Sequence, residues 1–181
     1  MRVEVVPYDP IWPEQFAALR DQLLAELAGV PVRSIEHVGS TSVPGLAAKP
    51  RLDVDIVVDA DQVRAAAAAL EAVGYSPLGQ LGVTDRHAFR APDRSPPRNV
   101  YVVVDGCLAL RNHLALRDAL RRDGRLREEY GRLKLELAQR DYTDIDQYVV
   151  DKSPVIQRIL AAAGIDRDEL AEIDAMNRLD S

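Results

Sequence analysis

Residues Leu52–Val58, with the sequence LDVDIVV, constrain the fold more than any other segment of the chain. The run alternates and is rich in β-branched residues, which predicts a β-strand. Side chains two positions apart on a strand point to the same face, so Asp53 and Asp55 project together, with Cα atoms roughly 7 Å apart. Two carboxylates this close repel each other unless a cation lies between them or one of them is protonated. The fold must therefore supply a cation or a proton at this strand.

The other predicted elements alternate between helix and strand up to residue 104 and are helical afterwards. Phe16, Leu19 and Leu23 recur at helical spacing, and the nearly continuous apolar run at 100–104 is typical of a buried central strand. The predicted helices cover 13–27, 60–73, 108–122, 125–140, 145–163 and 167–178. The predicted strands cover Val32–Val38, Leu52–Val58, 87–90 and 100–104, after a short extended segment at 3–6, and loops are expected at 39–49 and 91–98.

This order of elements predicts an α/β (α+β) fold, in which a small mixed β-sheet is flanked by helices and followed by a C-terminal helical lobe. We expect residues 1–106 to form the core around the sheet. We expect residues 107–181 to form the helical lobe, packed on that core as one compact unit.

Charge and composition exclude several classes of protein. The chain has 181 residues and a formal net charge of −6, whereas a general DNA-binding protein needs a net basic face. No apolar run approaches the ~18 residues needed to span a bilayer. The lone cysteine, Cys107, cannot form an internal disulfide and has no evident base to activate it. We therefore expect a cytoplasmic protein without a membrane partner.

The loop that follows the strand Val32–Val38 has the composition of a phosphate-binding loop. It begins with Gly39 and Ser40, and Thr41 and Ser42 follow directly. Backbone N–H groups and hydroxyls of such a loop can bind phosphate oxygens. Mg²⁺ commonly takes one or two carboxylates together with substrate phosphates. The loop and the paired aspartates therefore predict a site for a metal–nucleotide.

A strand, a Gly-Ser turn, a dozen residues and a strand with paired aspartates together resemble the signature of the polymerase-β-like nucleotidyltransferase superfamily. A longer match is more specific. Residues 37–50, HVGSTSVPGLAAKP, followed by Asp53-Val-Asp55, resemble the signature of the GrpB family. Further stretches also resemble that family: residues 5–16, Gly74-Tyr75, residues 113–121, Tyr130 with Lys134, and Tyr148 with Lys152.

The resemblance implies a nucleotidyltransferase-type fold and a role for each motif. Asp53 and Asp55 would be the catalytic residues and would bind Mg²⁺ or Mn²⁺, while Gly39, Ser40 and their neighbours would hold the phosphates of an NTP or a similar small molecule. The implied reaction is the transfer of a nucleotidyl group to a hydroxyl acceptor of unknown identity. The alternative is a catalytically inactive module that binds a nucleotide or a CoA precursor, or that assists assembly.

The chain departs from the superfamily pattern in a way that favours the alternative. Active members usually add a third carboxylate from a later strand, but residues 99–104, NVYVVV, contain no acid. Asn99 and Tyr101 stand where many GrpB relatives carry histidines. Asp105 and Glu36 are the other candidates to complete a metal shell. Without a third carboxylate the attacking hydroxyl lacks an obvious base. Arg51 is a second departure, since the family usually has an aliphatic residue there.

Lysine is rare in this chain and concentrated in the family-like motifs. There are 20 arginines but only three lysines, Lys49, Lys134 and Lys152. We expect Lys134 and Lys152 to face the Gly-Ser loop and to bind phosphate, although three merely exposed lysines remain the alternative. Arg117 could clamp a phosphate or tie helices together. We expect His37 and His113 to be packed or hydrogen-bonded rather than metal ligands.

Overall fold

The computed structural model describes residues 2–179, which form six helices and five strands. Residue 1 and residues 180–181, at the outer ends of the two predicted parts, lie outside this range. The helices are α1 (Ile11–Glu26), α2 (Val63–Ala72), α3 (Leu108–Arg122), α4 (Gly124–Leu137), α5 (Ile145–Ala162) and α6 (Arg167–Leu179), and the strands are β1 (Val32–Val38), β2 (Leu52–Val58), β3 (Ser76–Gly79), β4 (Arg86–Arg90) and β5 (Arg98–Val104).

The five strands form one mixed sheet in the order β1-β2-β5-β4-β3. Only β2 and β5 run parallel among these neighbours, and the other pairs are antiparallel. The parallel register sets Asp53 beside Asn99 and Asp55 beside Tyr101. The strand that carries both aspartates is therefore central, with β1 on one side and β5 on the other.

The two faces of the sheet have different coverings because side chains alternate along each strand. Val54 and Ile56 of β2 pack with Leu23 of α1 and Leu70 of α2 in the main hydrophobic core. Val57, on the opposite face, packs with Val103 and Leu110, so this face lies against α3. Asp53 and Asp55 alternate with the core residues and therefore share the face that α3 covers.

The C-terminal helices build a second core, which also includes part of the Gly-Ser loop. Val43 and Leu46 are fully buried and pack with Leu120, Tyr130 and Ile159 from the helices. Pro44-Gly45 forms the expected turn, in which Leu46 N–H donates to the Val43 carbonyl oxygen at 3.1 Å. The helices thus fix the position of the loop between β1 and β2.

The predicted fold class is confirmed, and most element boundaries agree within a few residues. β1, β2 and α3 have the predicted bounds, while α2 begins after a 3₁₀ turn at Ala60–Gln62 and α4 ends at Leu137 rather than at residue 140. The segment at 3–6 forms only an isolated bridge, between Val6 and Ala48. The division of the chain at residue 106 stays a prediction. Within residues 2–179, no helix combines the length and the apolar character needed to cross a bilayer.

Two features of the sheet differ from the prediction. β3 was not predicted, because its four exposed residues include Pro77 and Gly79, which are typical of turns. β5 begins at Arg98 instead of residue 100. Arg98 is buried, and its guanidinium donates to both carboxylate oxygens of Asp93 and to the Tyr75 hydroxyl. These partners allow a charged residue to extend the strand into the region predicted as loop.

Candidate functional site

The Gly-Ser loop lies directly on the first aspartate of β2. Gly39 adopts φ +68° and ψ −174°, a conformation essentially confined to glycine. A Cβ atom at this position would lie 2.1 Å from Oδ2 of Asp53. Ser40–Ser42 then form a 3₁₀ turn, in which the Ser42 hydroxyl donates to the Gly39 carbonyl oxygen at 2.6 Å. Glycine is therefore required at residue 39 both for the turn and for the approach to Asp53.

Thr41 and Ser42 are buried and point into the protein. The Thr41 hydroxyl donates to the Arg51 carbonyl oxygen at 3.3 Å, and its Oγ1 lies 3.0 Å from Nε2 of His37. The His37 ring stacks on Phe16, with ring centroids 4.6 Å apart. Of the three predicted hydroxyl ligands, Ser40 lines both cavities beside the loop, Thr41 lines the smaller one, and Ser42 lines neither of the two. The hydrogen bonds of Thr41 and Ser42 hold the loop in shape.

The three lysines of the chain converge on this loop. Nζ of Lys134 donates to Oγ of Ser40 at 2.8 Å, although only 3% of Lys134 is exposed. Lys49 and Lys152 lie over the ring of Tyr148, with Nζ 4.8 and 5.0 Å from its centroid. The three lysines line one cavity of about 120 Å³ together with Ser40, Thr41, Arg51, Asp53, Asn99, Tyr130 and Tyr148. Lys134 and Lys152 thus lie where the sequence predicted them, beside Ser40.

Burial and mutual repulsion perturb the ionisable groups of this cavity. Burial, reinforced by the charge of Lys152, holds the pKa of Lys134 well below its usual range. Burial also lowers the pKa of Lys49, against the opposing attraction of Asp53. The pKa of Tyr148 is raised to about 12 by burial. Cations placed together with little solvent favour an anionic ligand, which would relieve their repulsion.

Asp53 lies beside the amide of Asn99 on the neighbouring strand β5. Nδ2 of Asn99 donates to Oδ1 of Asp53 at 2.8 Å, and Nη1 of Arg51 donates to Oδ1 of Asn99 at 3.2 Å. Asn99 thus orients the Asp53 carboxylate without adding negative charge. Arg51, which stands where the family usually has an aliphatic residue, is therefore connected to Asp53 through Asn99.

Asp55 is fully buried and paired with a histidine from α3. Its Oδ2 lies 2.7 Å from Nδ1 of His113, while its Oδ1 is buried without a hydrogen-bond partner among the described residues. The ring of Tyr101 lies beside His113, with centroids 6.3 Å apart. Burial acts to lower the pKa of His113, but the Asp55 carboxylate outweighs it and the pKa is raised. His113 is thus a hydrogen-bonded residue, as expected, and it is held by an aspartate of the site.

Arg117 ties α3 to β1. Its guanidinium donates to Glu36 at 2.8 Å, to Asp118 at 2.8 Å and to the carbonyl oxygen of His37 at 3.2 Å. These contacts are structural, as one alternative expected, but they tie the helix to a strand rather than to another helix, and Arg117 also lines the larger cavity described below. Glu36, one of the acidic candidates for the metal shell, is therefore already paired with Arg117.

Asp105, the other acidic candidate for the metal shell, forms an ion pair with Arg33. Its Oδ2 lies 3.3 Å from Nε of Arg33. Arg33 also donates to Asp59 at 2.7 Å. Asp105 therefore belongs to a surface ion-pair cluster that holds the ends of β1 and β2 near the turn after β5.

A larger cavity, of about 210 Å³, opens beside the lysine cavity and shares Ser40, Asp53, Tyr130 and Lys152 with it. Its remaining walls come from the loop and from facing sides of α3 and α5: Gly39, Asn112, His113, Leu116, Arg117, Leu120, Val149, Ser153 and Ile156. The two cavities together form one cleft between the sheet and the helices. Lys49 and Lys134 lie at one end of the cleft, and apolar side chains of α3 and α5 line the other end.

A divalent cation at Asp53 and Asp55 is implied by the resemblance, and the donors present fit it in a limited way. The unpartnered, buried Oδ1 of Asp55 is the kind of oxygen that a cation would satisfy. The part of the chain that the structure describes contains no cluster of three or more His, Cys, Asp or Glu side chains able to hold a metal ion. Since Mg²⁺ completes its shell with water and phosphate oxygens, the two aspartates fit a cation that arrives with a phosphorylated ligand.

Sequence reasoning did not assign several residues of the cleft. Lys49, Tyr130 and Tyr148 line the lysine cavity, and Asn112 lines the larger one. The first three stand inside the family-like motifs, so those motifs contained a usable signal. Nothing in the local sequence distinguishes Asn112 from an exposed helical residue.

Known proteins with similar sequences and structures identify the family of the chain. Residues 2–162 match the GrpB protein family. A UPF0157 protein of Halalkalibacterium halodurans is 34% identical over 163 residues, which cover 89% of this chain and 82% of that protein. The crystal structure of GrpB from Enterococcus faecalis aligns with a TM-score of 0.77 at 33% identity, over 88% of this chain and 96% of that chain.

More distant structures share the fold alone. Cid1 in complex with its short product ApU aligns with a TM-score of 0.51 at 17% identity, over 71% of this chain and 41% of that chain. A mutant of the Cid1 poly(U) polymerase bound to MgATP aligns with a TM-score of 0.50 at 15% identity, over 71% and 45%. The mixed sheet and its helices therefore share the fold of these Cid1 structures, and the chain belongs to the GrpB family.

Proposed function

We propose that this protein binds a nucleoside triphosphate together with Mg²⁺ or Mn²⁺ in the cleft, and transfers the nucleotidyl group to a hydroxyl acceptor. The convergence of Lys49, Lys134 and Lys152 on Ser40, beside Asp53, is the observation that carries this proposal. A polyphosphate would favour the charged form of these lysines, since lysine serves phosphate as a compact point charge. The nucleotidyltransferase-type fold supports the same function, as does MgATP bound to the distant relative of that fold.

The residues of the cleft divide the chemistry between them. Ser40 and the lysines would hold the β- and γ-phosphates, and Asn99 would keep the Asp53 carboxylate directed at the cation. A bound cation would neutralise charge that develops on the phosphate oxygens. In the transfer, the acceptor oxygen forms a bond to the α-phosphorus, the bond from that phosphorus to the pyrophosphate oxygen breaks, and the hydroxyl proton is released.

The second candidate function is binding without transfer, as a nucleotide- or CoA-precursor-binding module or an assembly module. β5, the strand on which a third carboxylate would serve as a base, contains no acid, and its Asn99 supplies an amide to Asp53 instead. Asp55 is engaged by His113 in the structure. Both observations weaken catalysis more than they weaken binding of a phosphorylated ligand.

Calorimetric titration with each NTP, with and without Mg²⁺, tests the binding part. We expect Mg²⁺ to strengthen NTP binding to the wild type, because Asp53 and the phosphates hold the cation together. Asp53→Asn should lose this gain while still binding NTP without metal, since it also removes a negative charge. Asp61→Asn, an exposed acid in the turn before α2, is the matched control and should behave like the wild type.

Transfer is tested separately, with α-labelled NTP and a panel of hydroxyl-bearing small molecules. Labelled acceptor and released pyrophosphate, both lost in Asp53→Asn, would establish the enzymatic reading. Metal-dependent binding without labelled product would favour the second candidate. Binding that is absent, or that gains equally from Mg²⁺ in Asp53→Asn, would refute the assignment of this site.

A further inference from the structure

We propose that the 210 Å³ cavity is the subsite for the base of the nucleotide, and that the Asn112 amide recognises the edge of that base. The inference rests on the proposed function, because it takes the phosphate end of the ligand to lie at Ser40 and the lysines. The inference extends the proposed function by placing the base of the nucleotide and by naming Asn112 as a residue that determines specificity.

Continuity of the two cavities gives the direction in which the ligand extends. Ser40, Asp53, Tyr130 and Lys152 line both of them. A triphosphate at the lysines would therefore leave its remaining part at the opening of the larger cavity, next to Asp53. From these shared residues the larger cavity continues into the space between α3 and α5.

One part of the larger cavity has apolar walls that suit the flat face of a planar ring. Leu116 and Leu120 contribute from α3, and Val149 and Ile156 contribute from α5. These positions are four residues apart on α3 and seven apart on α5, so each pair lies on one helix face. Apolar walls with a few placed polar groups are typical of small-molecule sites.

Asn112 is the polar group that the structure leaves unpaired in this cavity. Its side chain is 7% exposed, and its Oδ1 is the one buried side-chain polar atom of the lining with no hydrogen-bond partner among the described residues. The neighbouring buried Ser153 is already satisfied, because its hydroxyl donates to Asp174. A buried amide oxygen without a hydrogen-bond partner is costly, so a ligand group that donates to Oδ1 of Asn112 gains affinity.

An asparagine amide carries an acceptor and two donors on one planar group. That combination pairs with a base edge on which a donor and an acceptor are adjacent, as it does in nucleic-acid recognition. Ribose and phosphate offer no such planar edge. The chemistry of Asn112 therefore points to a nucleobase rather than to a sugar phosphate.

Calorimetric titration of each Mg–NTP, compared with Mg–tripolyphosphate, tests the inference. We expect the wild type to bind at least one NTP more tightly than tripolyphosphate, which lacks a base. Asn112→Leu, which keeps the size of the side chain but removes the amide, should reduce that preference about 3- to 10-fold. Its affinity for tripolyphosphate should not change, and its selectivity among the NTPs should narrow.

Leu116→Ala is a second variant in case Asn112→Leu does not fold, and it should reduce the same preference by weakening the apolar wall. Equal affinity of the wild type for tripolyphosphate and for every NTP would overturn the base subsite and leave the phosphate site standing. A preference unchanged in Asn112→Leu and in Leu116→Ala would overturn it as well. Binding of neither ligand class would refute the proposed function, and this inference with it.

Discussion

Gly39 affects both the conformation of the loop and the position of Asp53. Gly39→Ala combines a glycine-only conformation with a Cβ atom 2.1 Å from Asp53. We expect it to lower the free energy of unfolding by about 2 to 5 kcal/mol, from backbone strain and overpacking together. Since relief of the clash must displace either the loop or Asp53, metal-dependent NTP binding should also be lost. Urea unfolding and calorimetric titration measure the two effects.

Gly106→Ala is the control for backbone strain without the clash. Gly106 has φ +74°, and a Cβ atom there would meet nothing within 4 Å. A loss of only about 1 to 2 kcal/mol is expected, with ligand binding intact. Equal effects of the two variants on stability and on binding would show that the contact with Asp53 is unimportant.

His37 makes stability depend on pH below neutrality. Burial, with the charges of Arg121 and Arg117, lowers the pKa of His37 from 6.5 to about 4. The folded state therefore favours neutral His37, so its contribution is fully present above pH 6.5 and is lost as pH falls towards 4. At about 1.36 kcal/mol per pKa unit, the contribution is about 3 kcal/mol.

Urea unfolding between pH 7 and pH 4.5 measures this dependence, and His37→Gln should flatten it because glutamine does not titrate. His113 acts in the opposite sense. Its raised pKa stabilises the fold below pH 6.5, and that contribution is lost only as pH rises above 6.5, so the two windows are separate. A wild-type slope retained in His37→Gln would assign the acid sensitivity to another group.

How far the site could be predicted from sequence depends on the distance between the interacting residues. The loop and the paired aspartates are local patterns, and the rarity of lysine marked Lys134 and Lys152. The contact of His113 with Asp55 joins residues 58 positions apart. Helical periodicity alone does not pair a histidine with one particular strand residue, so this contact emerged only from the packing of α3 on the sheet.

Among the elements, α5 contains a residue that opposes its own secondary structure. Pro154 lies inside the helix and is exposed. Proline cannot donate the helical hydrogen bond to the carbonyl four residues before it, and its ring crowds that carbonyl. We expect Pro154→Ala to raise the free energy of unfolding by about 1 to 3 kcal/mol, as measured by urea unfolding.

Val150→Ala, at an exposed position on the same helix, controls for a general effect of alanine and should change stability by less than about 0.5 kcal/mol. If Pro154→Ala instead destabilises the protein, the proline is adapted to its surroundings beside Lys152 and Ser153. Calorimetric titration with tripolyphosphate would then establish whether binding falls with stability.

Elements with a clear periodicity could be predicted, and those defined by tertiary contacts could not. β1 and β2 have the predicted bounds because their apolar, β-branched residues are locally consistent with strands. β3 has no such pattern, since all four of its residues are exposed. It exists because β4 offers it an edge to pair with.

At the scale of the whole molecule, the C-terminal helices fix the position of the Gly-Ser loop between β1 and β2. Arg121 of α3 donates two hydrogen bonds to the Ser42 carbonyl oxygen, at 3.0 and 2.7 Å. Val43 and Leu46 of the loop are buried among the helices. The sequence predicted that the helical part packs on the sheet, but which helix holds the loop depends on contacts between residues about 80 positions apart.

Lys134 lies on α4, contacts Ser40 of the loop and lines the cleft, so its substitution tests how these three parts act together. Burial and the charge of Lys152 lower its pKa well below the ordinary value of 10.5. Protonation of Lys134 is therefore less favourable in the folded than in the unfolded protein, and this cost to stability disappears only as pH rises through the pKa of the folded state towards 10.5. A buried lysine that costs stability is expected at a binding site rather than in a structural core.

Lys134→Met keeps the length of the side chain and removes its charge. We expect the free energy of unfolding to rise by about 1 kcal/mol without ligand, and affinity for Mg–tripolyphosphate to fall about 10-fold or more, which corresponds to about 1.4 kcal/mol. Arg132→Met, at an exposed position on the same helix, should change neither quantity. If Lys134→Met lowers stability and leaves tripolyphosphate binding intact, Lys134 serves the fold through its hydrogen bond to Ser40, and the lysine cavity is not the phosphate site.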